Sequence, residues 1–482
     1  MTTPNRSSFD PRSDPSDPSP EPSFETLSYD DSVTIPAVRL GEEESPAALP
    51  SIEPEAGGSS MVLRAIRANR LGSPSQMPIR PTIPPLGQDA SGKTLDTPAF
   101  RLAPPGPIGV IGGGQLGRMF IQAARRLGYD VAVLADHPDD PAARISRQVV
   151  LGPSGDLNTL KVFQAHAAAV TVEFENVSAP GLRWLEGQKR VVRPSSHSVW
   201  ICQDRLREKG FLESQGVPTA PWRPIVDAED LDRAIRPFEQ GGAPFPAILK
   251  TATSGYDGKG QRRVETPDQL EEAWRSLRRS PCVLEGFVPF AAEVSVVAAR
   301  GRDGQAVTFP PFLNHHVHHI LDTTTAPAPL GPILTAEARD LALKTIHALE
   351  HVGVLCVEFF LTTDGQLLVN ELAPRPHNSG HLTIEAAVCD QFEQQVRALV
   401  GLPLGCADLV SPAAMVNLMG ELWSQGEPNW TAALQAEPAA RLHLYGKFRP
   451  APGRKMGHLT VLDPDPQRAL DRALAARRAL AS

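Results

Sequence analysis

Two apolar runs, LCVEFFL and QLLVNEL, meet across TTDG at residues 355–372. An Asp-Gly pair between strand-like runs is a strong local signal for a β-hairpin. A turn centred on Asp364 and Gly365 sets Glu358 directly opposite Glu371. Facing side chains in such a pair have Cβ atoms about 4.5–5.5 Å apart, and like charges there are destabilising. The strands are otherwise apolar, so two glutamates on a solvated face are the weaker reading; a cation between them removes the penalty. Oxygen-only ligands suit Mg²⁺, which takes one or two carboxylates and completes its shell with water and substrate phosphates. Asn370, next to Glu371, adds a ligand if the strand kinks.

Such a cation calls for a phosphate, and AILKTATSGYDGKGQRRV at residues 247–264 offers a cradle for one. Lys250 ends an apolar strand. Gly255, Gly258 and Gly260 let backbone N–H groups approach an anion closely, and Lys259 adds a point charge. Further on, PCVLEGFVPFAAEVSV places Glu285 on an apolar strand and Glu293 on the next, where backbone groups meet an adenine edge and a carboxylate accepts from a ribose. FLNHHVHHILDTT tempts towards zinc, but strand alternation predicts His316 and His318 on one face with His315 and His319 off it, and no correctly spaced third ligand. One histidine lining a nucleotide or substrate pocket is the better reading. In LYGKFRPAPGRKMGH, Lys447, Arg449, Arg454 and Lys455 gather on a Pro/Gly-constrained loop, which favours an anion such as a sugar phosphate.

The first ordered segment is GVIGGGQLGR at residues 109–118. Gly112, Gly114 and Gly117 satisfy G-x-G-x-x-G, and Asp136 follows at the distance of a ribose-binding carboxylate, the pattern of a dinucleotide site. Alternating strands and helices continue to about residue 195, as expected for a helix-covered parallel sheet. A mixed α+β region runs to about residue 400, and a smaller unit closes the chain. Ahead of these, the first hundred residues are rich in Ser, Pro, Asp and Glu without periodicity, a composition that cannot offset its ordering entropy. Residues 1–60 hold 12 Asp/Glu against 3 Lys/Arg, a balance of −9, so with −8 overall the rest of the chain sums to about +1. That excludes a global basic field for nucleic acid. No apolar run approaches the roughly 18–20 residues that span a bilayer. The five cysteines occur singly, which fits a reducing cytoplasm.

The motifs GGGQLGRM, EFENV, DRLREK, SGYDGKGQ, EGFVPFAAEVS, VNELAPRPHNSGH and PGRKMGHL follow in this order over about residues 107–475. In them the chain resembles the 5-(carboxyamino)imidazole ribonucleotide synthases, ATP-grasp ligases of purine biosynthesis. The resemblance implies an α/β and α+β chain with a Rossmann-like domain (106–204), a central ATP-grasp domain (205–402) and a small C-terminal domain (403–482), preceded by the extension (1–105) whose composition reads as disordered. It implies that Arg205, Lys250, the loop Gly255, Tyr256, Asp257, Gly258, Lys259, Gly260 and Gln261, the connector Glu285, Gly286, Phe287 and Val288, and Glu293, His316, Asn370 and Glu371 contact ATP. Glu358 and Glu371, with Asn370, would hold magnesium. Tyr256, Asp257, Lys259, Arg375 and His377 would serve catalysis around bicarbonate and the imidazole amine. Gln115 and Leu116, in the turn of the first glycine loop, would face the ribonucleotide, with Lys447, Arg454 and Lys455 on its phosphate. Arg449 lies beside a small insertion and receives no role.

The implied reaction is ATP-dependent carboxylation of 5-aminoimidazole ribonucleotide by bicarbonate through carboxyphosphate, with no nucleic-acid or membrane partner, in a cytoplasmic homodimer coupled functionally to the downstream carboxyaminoimidazole ribonucleotide mutase. The nearest alternative is the ATP-grasp phosphoribosylglycinamide formyltransferase. A different class, an NAD-dependent oxidoreductase, rests on the first glycine loop alone and leaves the acid pair and second loop unemployed. A catalytically silent nucleotide-binding protein is opposed by the complete acid pair and lysines. Because the extension lies outside the resemblance, deleting residues 1–100 is expected to leave substrate-stimulated ADP release unchanged; a large loss of turnover would refute that reading.

Overall fold

The computed structural model describes residues 100–236, 242–255 and 259–481. The extension expected to be disordered therefore lies outside the described residues, apart from its last few positions, as do Tyr256, Asp257 and Gly258 of the second glycine loop.

Short apolar runs build the first sheet: β1 (Ile108–Ile111), β2 (Val131–Ala135), β3 (Gln148–Leu151), β4 (Ala169–Val172) and β5 (Val191–Val192). All its pairs are parallel, in the order β3-β2-β1-β4-β5. β1, β2 and β4 are buried along their whole length, as central strands covered on both faces must be. The helices are started by side chains legible in the sequence. Asp156, Ser178, Ser195 and Asp204 each accept from backbone N–H groups of the first turn they cap.

A second, four-stranded antiparallel sheet comprises β6 (Trp222–Ile225), β7 (Ala247–Thr251), β8 (Gln261–Val264) and β9 (Cys282–Gly286), in the order β6-β9-β7-β8. It presents Lys250 and Glu285 on neighbouring strands.

The third sheet has nine strands: β10 (Phe290–Arg300), β11 (Ala306–Thr308), β12 (Phe312–Val317), β13 (Ile320–Ala326), β14 (Gly353–Thr362), β15 (Leu367–Ala373), β16 (Ala413–Met419), β17 (Arg441–Leu444) and β18 (Lys455–Leu462). Their order is β15-β14-β10-β12-β13-β16-β18-β17, with β11 beside β10. The last three strands come from the end of the chain and continue this sheet through the β13–β16 pairing. Period-two alternation sorts the middle strands by face. Val294, Val296, Leu355, Val357 and Phe359 pack with the helix Pro332–Ala348 through Ala338, Ala342 and Ile346. The opposite face presents Glu293, Ser295, Cys356 and Glu358, and that is where the chemistry gathers.

Two sequence expectations are corrected by the backbone. The strand β12 ends at Val317, and His318 and His319 form the turn to β13 with φ of 50° and 64°, so the alternation drawn for them does not apply. Gln115 and Leu116 do not lie in the glycine turn; they open the helix Gln115–Arg126.

Candidate active site

The hairpin β14–β15 pairs Glu358 with Glu371 as expected, but by a different route. Its turn is one residue longer than predicted: Gly365 donates to the Thr362 carbonyl with φ +84°, and Thr362 donates to the Gln366 carbonyl, which leaves a three-residue loop. That turn puts Phe359 opposite Val369, one step out of the predicted register. A β-bulge between Glu358 and Phe359 absorbs Asn370 as the extra residue and restores it. The kink on which a ligand role for Asn370 depended is therefore present.

Buried charges hold the bulge. The helix Arg205–Ser214 directs Arg205, Glu208 and Lys209 to one side, at i, i+3 and i+4. Lys209 Nζ donates to the carbonyls of Asn370 (2.7 Å) and Val369 (3.3 Å). Glu208 Oε2 accepts from the Leu372 amide at 2.9 Å. The two side chains thus clamp both ends of the irregularity. Lys209 also faces Glu285 at 3.4 Å, and Lys250 bonds Glu285 at 2.8 Å while standing 3.4 Å from Asn370 Oδ1. Burial alone would raise the Glu285 carboxyl, but Lys209 and Lys250 hold it down at about 2. Glu208 goes the other way: burial outweighs the cations of Lys209 and Arg205 and pushes it up to about 8, so it is neutral at pH 7.

Each member of the acid pair has its own cation. Arg205 reaches Glu371 at 3.3 Å and the Gly255 carbonyl at 3.4 Å. Glu358 lies 2.9 Å from His377 Nε2. Desolvation would raise the Glu358 carboxyl and lower the His377 imidazole, yet the imidazole lowers that carboxyl, and the histidine is raised by the Cys356 sulfur and by the carboxylate. On β12, His316 bonds Glu293 at 2.7 Å. The connector after β9 has spent two of its amides: Gly286 donates to Pro221 and Phe287 to Pro246. At the base of the second glycine loop, Gly260 has φ +75°, and a Cβ there would lie 2.6 Å from Thr251 Oγ1.

The first glycine loop answers the dinucleotide reading. Its N–H groups are taken by the chain's own Glu173: Gly114 donates to Oε1 at 2.5 Å and Gly117 to Oε2 at 2.7 Å. A carboxylate stands at the helix N-terminus where a pyrophosphate would sit. Asp136 is an exposed residue just past β2. Glu175, two residues on from Glu173, pairs with Arg375 at 2.5 Å. In the last cluster, Lys447 Nζ donates to the Lys455 carbonyl at 2.7 Å and Arg454 to the Arg449 carbonyl at 2.7 Å. Both Arg375 and Lys447 act electrostatically on Glu173. Thus Glu173, Glu175, Glu208 and Lys209 join the site although only their motifs, EFENV and DRLREK, had drawn attention.

A cradle of lysines and facing acids from the second and third sheets defines an ATP-grasp ligase. The ATP-grasp domain family matches residues 210–392, the ribonucleotide synthetase preATP-grasp domain residues 106–203, and the phosphoribosylaminoimidazole carboxylase C-terminal domain residues 413–472. The chain belongs to the N5-carboxyaminoimidazole ribonucleotide synthase family. It is 42% identical to the Brucella melitensis synthase, over 75% of this chain and 98% of that one, and 39% identical to the Bacillus subtilis synthase, over 74% and 91%. Among solved structures it is similar to the Thermus thermophilus synthetase, with a TM-score of 0.70, 41% identity and coverage of 78% and 98%. It is also similar to the Aspergillus clavatus synthase in complex with ADP and 5-aminoimidazole ribonucleotide, with a TM-score of 0.68, 29% identity and coverage of 79% and 99%.

Two variants test the clamp. Lys209→Met removes the cation buried between Glu285 and the bulge and is expected to destabilise the protein by about 3–5 kcal/mol in denaturant titrations. Glu208→Gln keeps an oxygen for the Leu372 amide but cannot ionise. Unfolded Glu208 ionises above about pH 4.3, whereas the folded group stays protonated to about 8. The native chain therefore loses stability across that window as pH rises. The thermal midpoint of Glu208→Gln should match it near pH 4 and exceed it increasingly towards pH 8; a constant offset would contradict the neutral assignment.

Proposed function

We propose that this chain uses ATP to carboxylate 5-aminoimidazole ribonucleotide with bicarbonate, giving 5-carboxyaminoimidazole ribonucleotide, ADP and phosphate in purine biosynthesis. The observation that carries the reading is the facing of Glu358 and Glu371 beside the Lys250–Glu285 pair and Arg205.

ATP would lie between the second and third sheets. Lys250, Lys259 and Arg205 supply positive charge for its phosphates under the loop of Gly255 to Gln261, while Tyr256, Asp257 and Gly258 complete that loop. With the Gly286 and Phe287 amides spent within the chain, the adenine edge falls to the Val288 end of the connector. Glu293, oriented by His316, accepts from the ribose. The donor set fits magnesium: two carboxylates in register, with the amide oxygen of Asn370 at a bulge, are hard oxygen ligands. When bound, the metal supplies charge neutralisation on the phosphates.

Bicarbonate is a poor electrophile, and phosphoryl transfer from ATP converts it to carboxyphosphate. Arg375, anchored by Glu175, and His377, anchored by Glu358, stand where the anion and the attacking amine must meet. The exocyclic amine of the ribonucleotide then captures carboxyphosphate, or CO₂ released from it. Water has to be excluded from that intermediate, and the second glycine loop is the natural lid. Lys447, Arg454 and Lys455 grip the ribonucleotide phosphate, with Gln115 and Leu116 beside it at the opening of the first helix. Anchoring the phosphate holds the amine in position for attack. The reading extends to domain limits of 106–204, 205–402 and 403–482, a homodimer, cytoplasmic residence and functional coupling to the mutase that consumes the product. Among the described residues, no helix is long and apolar enough to cross a membrane.

ADP release by purified protein tests this directly. It should require both bicarbonate and 5-aminoimidazole ribonucleotide for full rate, and fall about 10²-fold or more in Glu371→Gln. Turnover that ignores the ribonucleotide would sink the substrate assignment. Turnover that survives the Glu371→Gln change would sink the metal assignment.

A further inference from the structure

The face of β14 that offers Glu358 to the acid pair also offers Cys356, two residues earlier, and the reaction above uses no thiol. Cys356 is fully buried. It stands 3.9 Å from the Ser379 hydroxyl, a weak contact for sulfur. One ligand atom from each of Cys356, Glu358 and His377 lies within 4.8 Å of the other two. The Glu358 and His377 side chains remain 13% and 15% exposed, so the cluster is open on the side away from the thiol.

We infer that Cys356, Glu358 and His377 form a binding site for a thiophilic divalent cation, zinc above all, and that occupancy inhibits the enzyme. Tetrahedral zinc with bonds of about 2.0–2.3 Å needs ligand atoms roughly 3.3–3.5 Å apart, so shifts of about an ångström complete the site. Three protein ligands with a fourth position left for water is the arrangement of accessible zinc sites. The outer contacts suit it too. His377 Nδ1 is 2.9 Å from Ser379 Oγ, which accepts from Ser295 Oγ at 2.8 Å, and Ser295 in turn accepts from Asn314. That chain fixes the ring with Nε2 facing the cluster. On binding, sulfur bonds the metal as thiolate and Nε2 bonds it as the neutral imidazole, so the thiol proton and the imidazolium Nε2 proton both leave to solvent.

A thiolate selects against magnesium and for zinc. The two metals therefore meet at Glu358 from different sides: zinc draws this carboxylate and His377 away from the nucleotide. The site shares Glu358 with the magnesium reading but does not depend on it, because the metal's own spectrum reports occupancy whether or not Glu358 serves ATP.

The test uses the metal-free full chain. Cobalt(II), a spectroscopic substitute for zinc, should bind one per chain with a thiolate-to-cobalt charge-transfer band that stoichiometric zinc abolishes. Zinc should suppress ADP release in the presence of excess magnesium, and a chelator should restore it. Cys356→Ser and Cys356→Ala should keep ADP release, lose the band and weaken zinc inhibition by about tenfold or more. Cys406→Ser, which removes the exposed thiol, should keep the band. Should both Cys356 variants misfold, X-ray absorption on the zinc-loaded native chain decides, with one sulfur expected at about 2.3 Å. Absence of sulfur from the metal's shell, a band lost in Cys406→Ser, or zinc inhibition unchanged by the Cys356 substitutions would overturn the inference.

Discussion

One extra residue in β15 determines where two negative charges meet. Without the bulge at Asn370, the turn of the hairpin would slide Glu371 out of register with Glu358, and a one-residue slip sends a side chain to the opposite face of the sheet. The bulge leaves backbone groups out of the ladder, and a buried orphan of that kind costs free energy comparable to a lost hydrogen bond. Lys209 satisfies the carbonyls of Val369 and Asn370, and Glu208 satisfies the Leu372 amide. The price of placing the acid pair is thus a buried ammonium and a buried carboxyl on one helical turn. Their burial is tolerated because Lys209 shares Glu285 with Lys250 and because Glu208 gives up its charge.

The same economy of charge governs the first domain. A glycine loop at a helix N-terminus attracts anions through its free N–H groups, and here a side chain from β4's end provides one. Glu173 closes the loop, while Glu175, two residues on in the turn after β4, holds Arg375. The short EFEN stretch consequently ties the parallel sheet to the segment that follows β15. Two carboxylates decide whether the first domain is a dinucleotide binder or one wall of a ligase.

How legible all this was depends on the kind of signal. Parallel strands made of apolar runs, and helices begun by Asp or Ser, declare themselves in the sequence. β3 did not: as an edge strand with a single buried residue it lacks alternation. Glu358 facing Glu371 was legible because two departures from the assumed hairpin, the longer turn and the bulge, cancel at that position. His318 and His319 misled because alternation was extended past the end of a strand into a turn with positive φ. Glu208 and Lys209 were hidden because charges on a helix ordinarily mark the solvent face; nothing in RLREKG distinguishes the buried pair from the half-buried arginines. Glu173 was hidden because its partners are backbone amides, which no residue pattern displays. Cys356 passed as core, since a buried thiol behaves as a small hydrophobe.

The hidden charges share a physical property: each is meaningful only against a partner about 60 or more positions away. Lys209 meets Asn370, Glu173 meets Gly114, and Glu175 meets Arg375. Local propensity cannot specify such contacts, yet each fixes something the chemistry needs before any substrate arrives. The bulge sets the acid pair, the filled loop sets the first helix, and the Glu175 pairing sets the guanidinium of Arg375. A site for ATP-dependent carboxylation gains most from dipoles already in place, because reorientation during the reaction would consume the stabilisation they give. The ordered charges of this protein, paired with one another and with the backbone, are that preorganisation.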